Sequence, residues 1–176
     1  MENIAYLVKG VPNVGEDYEK FNLDMRRDLD IMKSIAAKEG YHPKIAGLDG
    51  LKTELEVQKE DSNVIFYFWG HSNPNKSTMW NGVGQHYQIE DLSKDLSRFH
   101  GKKCVILDSC VGGEKFDKIK WPSNSKVLTA DLVSRRETIA EILYDAVLLR
   151  KKPLFEVSKQ MFDSMIYNWV QCKDFH

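Results

Sequence analysis

Two apolar runs, Asn63-Val-Ile-Phe-Tyr-Phe-Trp-Gly-His-Ser72 and Lys103-Cys-Val-Ile-Leu-Asp-Ser-Cys110, decide how this chain is expected to fold. Each run is short and rich in β-branched or aromatic residues, which predicts a buried strand. The apolar residues do not alternate with polar ones, as is typical of parallel strands covered on both faces. Functional groups gather where loops leave the carboxyl ends of such strands. His71 and Cys110 follow these ends, so they are predicted to share one crevice if the two strands are neighbours.

The rest of the chain alternates between strand-like and helix-like patterns. Strands are predicted at 3–8, 43–47, 63–70, 103–108 and 126–130, and helices at 16–39, 51–59, 90–99, 134–149 and 154–171. A small hairpin outside the main sheet is predicted from Thr78-Met-Trp80 and His86-Tyr-Gln-Ile89. This alternation predicts a single α/β domain over residues 1–176, a three-layer α/β/α sandwich with a mainly parallel sheet. Right-handed crossovers would place its third and fourth strands side by side.

Composition excludes several classes of function. The chain has 176 residues and a formal net charge of -1, which gives no electrostatic basis for binding nucleic acid or an anionic membrane. No apolar run reaches membrane-spanning length, and the acidic start is not expected to be a signal peptide. The three cysteines, Cys104, Cys110 and Cys172, have neither disulfide-framework nor zinc-site spacing. Residues 9–15 lack the glycine spacing of phosphate-binding loops. We therefore expect a cytoplasmic protein without metal or cofactor.

The chemistry open to the strand-end pair is acyl transfer by a thiol. A thiol becomes nucleophilic as the thiolate, which a nearby imidazole or amide donors favour. In this interpretation Cys110 attacks, His71 transfers protons, and the N–H groups of Ser72 and Cys110 form an oxyanion hole. The alternative from the residues alone is that Cys110 is a small buried apolar residue and His71 a structural one. A third possibility is an unrelated doubly wound binding domain.

Both strand-end motifs resemble those of clan CD cysteine peptidases, which include caspases, metacaspases and legumains. The run ending in Trp-Gly-His71-Ser is similar to their histidine strand, and Asp-Ser-Cys110-Val-Gly-Gly is similar to their cysteine strand, closest to the metacaspase form. The resemblance extends over nearly the whole chain. It implies a caspase-like cysteine endopeptidase with His71 and Cys110 as the catalytic dyad, acting on a peptide or protein substrate.

Three features depart from the family pattern. Ser72 stands where the family usually has glycine, the Gln-Ala-Cys motif of caspases is absent, and no sixth strand is found because a helix is predicted at the C-terminal end. These departures keep open a catalytically degenerate module that acts through a regulatory protein partner.

The residue two before the cysteine helps to line the S1 pocket in the related peptidases, and here it is Asp108. A carboxylate in the pocket favours a basic P1 side chain through a charge-assisted hydrogen bond, so the resemblance implies cleavage after Arg or Lys. The alternative is that Asp108 caps a neighbouring turn. Arg135 and Arg136 would favour an acidic P1 if either reached the pocket. The Lys-rich segment 114–120 is expected to be a solvated surface loop rather than a self-cleavage site.

Overall fold

The fold is taken from a computed structural model, which describes residues 1–12, 15–73, 78–80, 86–110, 114–130, 137–165, 167 and 169–176. At 80, 86, 110, 114 and 115 it describes the backbone alone. In chain order the elements are β1 (Glu2–Lys9), α1 (Tyr18–Lys38), β2 (His42–Gly47), α2 (Leu48–Val57), β3 (Ser62–Trp69), β4 (Ser72–Asn73), β5 (Thr78–Trp80), β6 (His86–Gln88), α3 (Ile89–Leu96), β7 (Lys103–Cys110), α4 (Glu114–Asp117), β8 (Ser125–Ala130), α5 (Ile139–Leu143), a π-helical turn (Tyr144–Leu149), a 3-10 turn (Leu154–Glu156), α6 (Lys159–Ser164) and β9 (Val170–Phe175).

The main sheet has the strand order β2-β1-β3-β7-β8-β9. Its first five strands are parallel, and β9 pairs antiparallel with β8 at the edge. The prediction that the histidine and cysteine strands are neighbours is therefore confirmed. β4, β5 and β6 form a separate antiparallel sheet, which contains the predicted hairpin and one additional short strand.

Helices cover both faces of the sheet, which makes the predicted α/β/α sandwich. On one face α1, α5 and α6 bury alternate residues of the central strands, including Leu7, Tyr67 and Ile106. On the other face α2, α3 and α4 bury the intervening residues, including Tyr6, Phe66 and Leu107. Because successive side chains of a strand point to opposite faces, the unalternated apolar runs supply both cores.

Local signals explain the bounds of α1, the longest helix. The carboxylate of Asp17 accepts a hydrogen bond from the N–H of Lys20, which satisfies one of the unpaired amides at the start of the helix. At the other end Gly40 has a φ of +79°, a conformation that favours glycine after a helix. The chain then enters β2, and α1 crosses the sheet beside the end of β3.

The C-terminal part of the chain corrects the sequence analysis. The predicted helix over 154–171 is confirmed only at Lys159–Ser164, because Leu154–Glu156 form a 3-10 turn and Val170–Phe175 form β9. A sixth strand of the main sheet is therefore present. Val170 and Cys172 pack with the α1 face, whereas Phe175 packs with the opposite face. This alternation is a strand pattern, but the antiparallel partner β8 is distant in sequence, so short-range periodicity did not reveal it.

Two other segments also differ from the expectation. The segment predicted as a loop over 114–120 begins with the short helix α4, and Phe116 is buried against the sheet. Ser93 donates a hydrogen bond of 2.6 Å to the carbonyl of Lys120, which holds the end of the segment to α3. Of the helix predicted over 134–149, the structure describes Ile139–Leu143 and the π-helical turn that follows, and the first residues lie outside the described part.

Candidate active site

The two predicted catalytic residues follow neighbouring strands at the same edge of the sheet. In the register between β3 and β7, Trp69 lies opposite Asp108. His71 and Cys110 each come two residues later along parallel strands. The two strands are hydrogen-bonded neighbours up to Trp69 and Asp108, so their carboxyl ends lie side by side. The structure describes the backbone of Cys110, and its side chain lies outside the described part.

The register of β7 is broken immediately before Cys110. Leu107 lies opposite Thr129 of β8, and Cys110 lies opposite the next residue, Ala130. Three steps along β7 therefore match one step along β8. Such irregularities bend a strand and re-aim its side chains, and they are frequent beside active sites. The sequence offers no local signal for this break, which falls at Asp108 and Ser109.

Two glycines bring the chain segments close together just before His71. A Cβ atom added to Gly70 would lie 2.8 Å from the Cα of Gly10, and one added to Gly10 would lie 2.8 Å from the Cα of Gly70. The N–H of Gly10 donates a hydrogen bond of 2.7 Å to the carbonyl of Trp69. Gly70 also has a φ of +156°. A side chain at either position would push β1 and β3 apart and displace His71.

His71 is held by a carboxylate from the loop before α1. Its Nε2 lies 2.7 Å from Oε2 of Glu16, and both side chains are about one-third exposed, at 32% and 35%. Phe21 of α1 stacks against the imidazole, with 5.6 Å between ring centroids and 29° between the ring planes. The ring is therefore fixed both in its plane and at one of its nitrogens.

A buried polar network lies behind the imidazole. Phe21 contacts Trp69 edge-on, at a centroid distance of 4.7 Å. The indole Nε1 of Trp69 donates a hydrogen bond of 2.7 Å to Oδ2 of Asp28, whose side chain is fully buried. The Nε of Arg27 donates to the other oxygen of Asp28, at 3.0 Å, and Arg27 also pairs with Glu141. This network ties α1 to the end of β3.

Burial raises the pKa of Asp28 above its ordinary value, because the charged carboxylate loses hydration. The hydrogen bond from Arg27 opposes this shift, and the negative charge of Asp108 adds to it. Asp28 on α1 and Asp108 on β7 are therefore near enough for the charge of one to affect the other. Sequence analysis had assigned no role to Asp28.

Asp108 is buried and links β7 to both β3 and α5. Its Oδ2 accepts hydrogen bonds of 3.1 Å from the hydroxyl of Tyr67 and 3.1 Å from the N–H of Ala140. Ala140 is in the first turn of α5, so Asp108 caps that helix from the neighbouring strand. These bonds fit the alternative interpretation that Asp108 is a capping residue. Its predicted role in the S1 pocket stays a prediction.

The residues of the predicted oxyanion hole, Ser72 and Cys110, also lie at the carboxyl ends of β3 and β7. Ser72 begins β4 and lies opposite Met79, so the chain after His71 enters the small antiparallel sheet. The backbone of Cys110 ends β7. The oxyanion role of the two amides therefore stays a prediction. Arg135 and Arg136, the alternative pocket residues, lie outside the described residues.

The other two cysteines are in environments that suppress reactivity. Cys104 is fully buried in β7, and burial raises the pKa of its thiol strongly. Burial also raises the pKa of Cys172, although the nearby Lys126 ammonium opposes the shift. Both thiols are therefore protonated at neutral pH. Among the described residues no group of three or more His, Cys, Asp or Glu side chains is arranged to hold a metal ion.

No protein-family model matches this chain, and no curated protein sequence matches it. The resemblance to clan CD peptidases therefore stays a prediction, which rests on the two strand-end motifs and the order of the elements. None of the helices that the structure describes is long and apolar enough to span a bilayer.

Proposed function

We propose that this chain is a caspase-like cysteine endopeptidase with His71 and Cys110 as its catalytic dyad. The observation that carries the proposal is the register of β3 and β7, in which Trp69 lies opposite Asp108 and the two candidate residues follow at equal spacing. The antiparallel strand β9 adds support, because a sixth strand is a feature that the resemblance implies. The glycine contact at Gly10 and Gly70 supplies a reason why the histidine follows a glycine.

The proposed reaction is hydrolysis of a peptide bond in two steps. The Cys110 thiolate attacks the scissile carbonyl carbon, and the amides of Ser72 and Cys110 stabilise the resulting oxyanion. His71 gives its proton to the leaving amine as the C–N bond breaks, which leaves a thioester on Cys110. Water then attacks the thioester, and His71 takes a proton from that water. The C–S bond of the thioester breaks, the second product leaves as the carboxylic acid, and the Cys110 thiolate and protonated His71 are restored.

The proposed substrates carry Arg or Lys at P1. The carboxylate of Asp108 lies two residues before Cys110, and a carboxylate in the pocket favours a basic P1 side chain over an acidic one. Asp108 also accepts hydrogen bonds from Tyr67 and Ala140. In this proposal a P1 cation interacts with the Asp108 carboxylate in addition to these bonds. A cytoplasmic location suits this chemistry, because a free catalytic thiol persists in a reducing compartment.

The second candidate is a catalytically inactive module of the same fold that binds a regulatory protein partner. The observation that favours it is the engagement of Asp108 with the start of α5, which assigns this buried carboxylate a structural function. Ser72 in place of glycine also favours it. The two candidates differ in a direct measurement, because an inactive module cleaves no peptide.

The proposal is tested with fluorogenic peptides that differ only at P1, together with a thiol-reactive peptidyl probe. We expect cleavage after Arg or Lys, and labelling of the protein by the Arg probe. Cys110→Ala should abolish both signals, and His71→Ala should lower kcat far more than it changes KM. Cys104→Ala and Cys172→Ala are the matched controls, because both thiols are protonated, and they should leave labelling intact.

Asp108→Asn separates a substrate role from a structural one. If Asp108 contacts the P1 cation, the substitution should raise the barrier for Arg substrates by about 2–5 kcal/mol and affect neutral P1 substrates much less. A uniform loss over all substrates, with a lower stability, would assign Asp108 to helix capping alone. Absence of any cleavage, together with equal labelling of all three cysteines, would contradict the peptidase proposal.

A further inference from the structure

Glu16 is the acidic group that contacts the candidate catalytic imidazole most directly. Its Oε2 lies 2.7 Å from Nε2 of His71. It precedes Asp17, the residue that caps α1, so its backbone is fixed by the start of that helix. In the sequence it reads as one of two acidic residues at a helix N-terminus, which gave no reason to connect it with His71.

The chemistry of the pair decides which nitrogen of the imidazole carries a hydrogen. An ionised carboxylate only accepts hydrogen bonds, so the Nε2 that it contacts must donate one. In neutral imidazole the hydrogen then sits on Nε2, and Nδ1 is the basic nitrogen. A carboxylate that holds the other nitrogen of a catalytic histidine fixes both the tautomer and the orientation of the ring.

Phe21 restricts the remaining freedom of the ring. It stacks on His71 at 5.6 Å and is itself held edge-on by Trp69, which is bonded to the buried Asp28. A flip of the imidazole by about 180° would keep the stacking, but it would place the carbon Cε1 instead of Nε2 beside Glu16 and so remove the hydrogen bond. The carboxylate therefore selects one of the two flip states, and the aromatic contact sets the plane.

We propose that Glu16 is a positioning residue that holds His71 as the Nε2–H tautomer and leaves Nδ1 to exchange protons with Cys110 and the leaving amine. This inference rests on the proposed peptidase function for the role of Nδ1, but the tautomer itself follows from the contact with Glu16. Glu16 does not touch the substrate in this scheme. Its effect is on the orientation and the protonated site of the imidazole.

The tautomer is measured directly from the ¹⁵N chemical shifts of histidine side chains in the full-length protein. At a pH of about 9, where an ordinary imidazole is neutral, we expect His71 to show a protonated Nε2 and an unprotonated Nδ1. The signals are assigned by their loss in His71→Ala. Glu16→Ala should give a mixture of tautomers. Glu16→Gln should keep the Nε2–H form, because the amide oxygen still accepts the bond.

Activity provides the second readout. Glu16→Ala should lower kcat by about 10- to 100-fold with little change in KM, since disordering the ring removes part of the contribution of general acid–base catalysis. Glu16→Gln should recover most of that loss. Glu19→Ala is the matched control, because Glu19 is an exposed acidic residue in the first turn of α1, and its loss should change neither the tautomer nor kcat.

The outcomes separate the two proposals. A His71 that carries its hydrogen on Nδ1, or an Nε2–H form that is unchanged in Glu16→Ala, overturns the role of Glu16 whatever the activity. The expected tautomers in a protein that cleaves no peptide support the positioning by Glu16 and contradict the peptidase function. A thermal melt of Glu16→Ala that matches the wild type excludes general unfolding as the cause of either change.

Discussion

At the residue scale, Asp28 is a carboxyl group that has no exposed surface and whose pKa is raised by burial and by the charge of a second buried carboxyl group, Asp108. It is retained because Trp69 and Arg27 donate hydrogen bonds to it. Burying a polar group costs less free energy when the group has hydrogen-bond partners, so these bonds offset the cost of burying Asp28. The consequence is a site whose stability depends on pH.

We expect the stability of the wild type relative to Asp28→Asn to fall as pH rises. The pKa of Asp28 is raised in the folded state, so the folded protein holds a proton that the unfolded chain has lost. This contribution is fully present below the unfolded pKa of about 3.9 and is lost as pH rises through the folded pKa, at no more than about 1.4 kcal/mol per pH unit.

The measurement is urea unfolding of the wild type and Asp28→Asn at a series of pH values from about 4 to 8. The difference between the two proteins removes the effect of every other titrating group. A difference that is flat over this range, or that rises with pH, would contradict the burial of Asp28 as a raised-pKa carboxyl group.

Residues of this network were not predictable from the sequence. The sequence predicted that Glu16 lies at the start of a helix and that Phe21 belongs to the apolar face of that helix, and α1 has both features. Their contacts with His71 depend on where α1 crosses the sheet. No spacing in the sequence encodes that crossing, because the partners are about 50 residues apart in the chain.

At the scale of elements, β1 and β3 meet at Gly10 and Gly70, and this contact sets the position of the histidine loop. We expect Gly10→Ala to destabilise the protein by about 1–3 kcal/mol, because its Cβ would lie 2.8 Å from the Cα of Gly70 and 3.0 Å from the carbonyl of Trp69. It should also lower any peptidase activity, since His71 follows directly.

The matched control is Gly50→Ala in α2. A Cβ at Gly50 would meet nothing within 4 Å, and alanine has the higher helix propensity, so we expect a gain of up to about 1 kcal/mol. Both variants are compared with the wild type by chemical denaturation. If both substitutions change the free energy of unfolding by the same small amount, the space between Gly10 and Gly70 can accommodate a methyl group and the prediction is wrong.

At the scale of the whole molecule, the C-terminal strand β9 completes the sheet and is attached by a buried cation. Lys126 of β8 is only 5% exposed, and its Nζ contacts the carbonyl of Val157 at 2.8 Å and Asp174 of β9 at 2.6 Å. We expect Asp174→Ala to lower the free energy of unfolding by about 1–3 kcal/mol, because the buried Lys126 ammonium would lose its carboxylate partner. This is less than the roughly 3–5 kcal/mol typical of a fully buried pair, because Asp174 is about half exposed.

Asp117→Ala is the comparison for this prediction. Its partner Lys173 is on the same strand, at 2.7 Å, but both side chains are about half exposed, so the loss should stay below about 1 kcal/mol. The two variants are compared by equilibrium unfolding at neutral pH. An equal loss in both would mean that burial of Lys126 adds nothing to the attachment of β9.

The class of the fold and the positions of the five parallel strands along the chain were predictable from the sequence, with bounds within about two residues for each strand. Their apolar runs are continuous and bounded by turn residues, so the local pattern carries enough information. It also placed His71 and Cys110 after neighbouring strands, because right-handed crossovers leave few arrangements for alternating strands and helices.

Three features depend on contacts in the folded protein: the sixth strand, the capping bonds of Asp108 and the carboxylate that holds His71. Each of these joins residues that are far apart in sequence, so no local periodicity or capping motif records it. β9 is a short edge strand with polar residues between its apolar ones, and its identity depends on hydrogen bonds to β8. The roles of Glu16 and Asp108 likewise depend on which helix ends the folded sheet brings beside them.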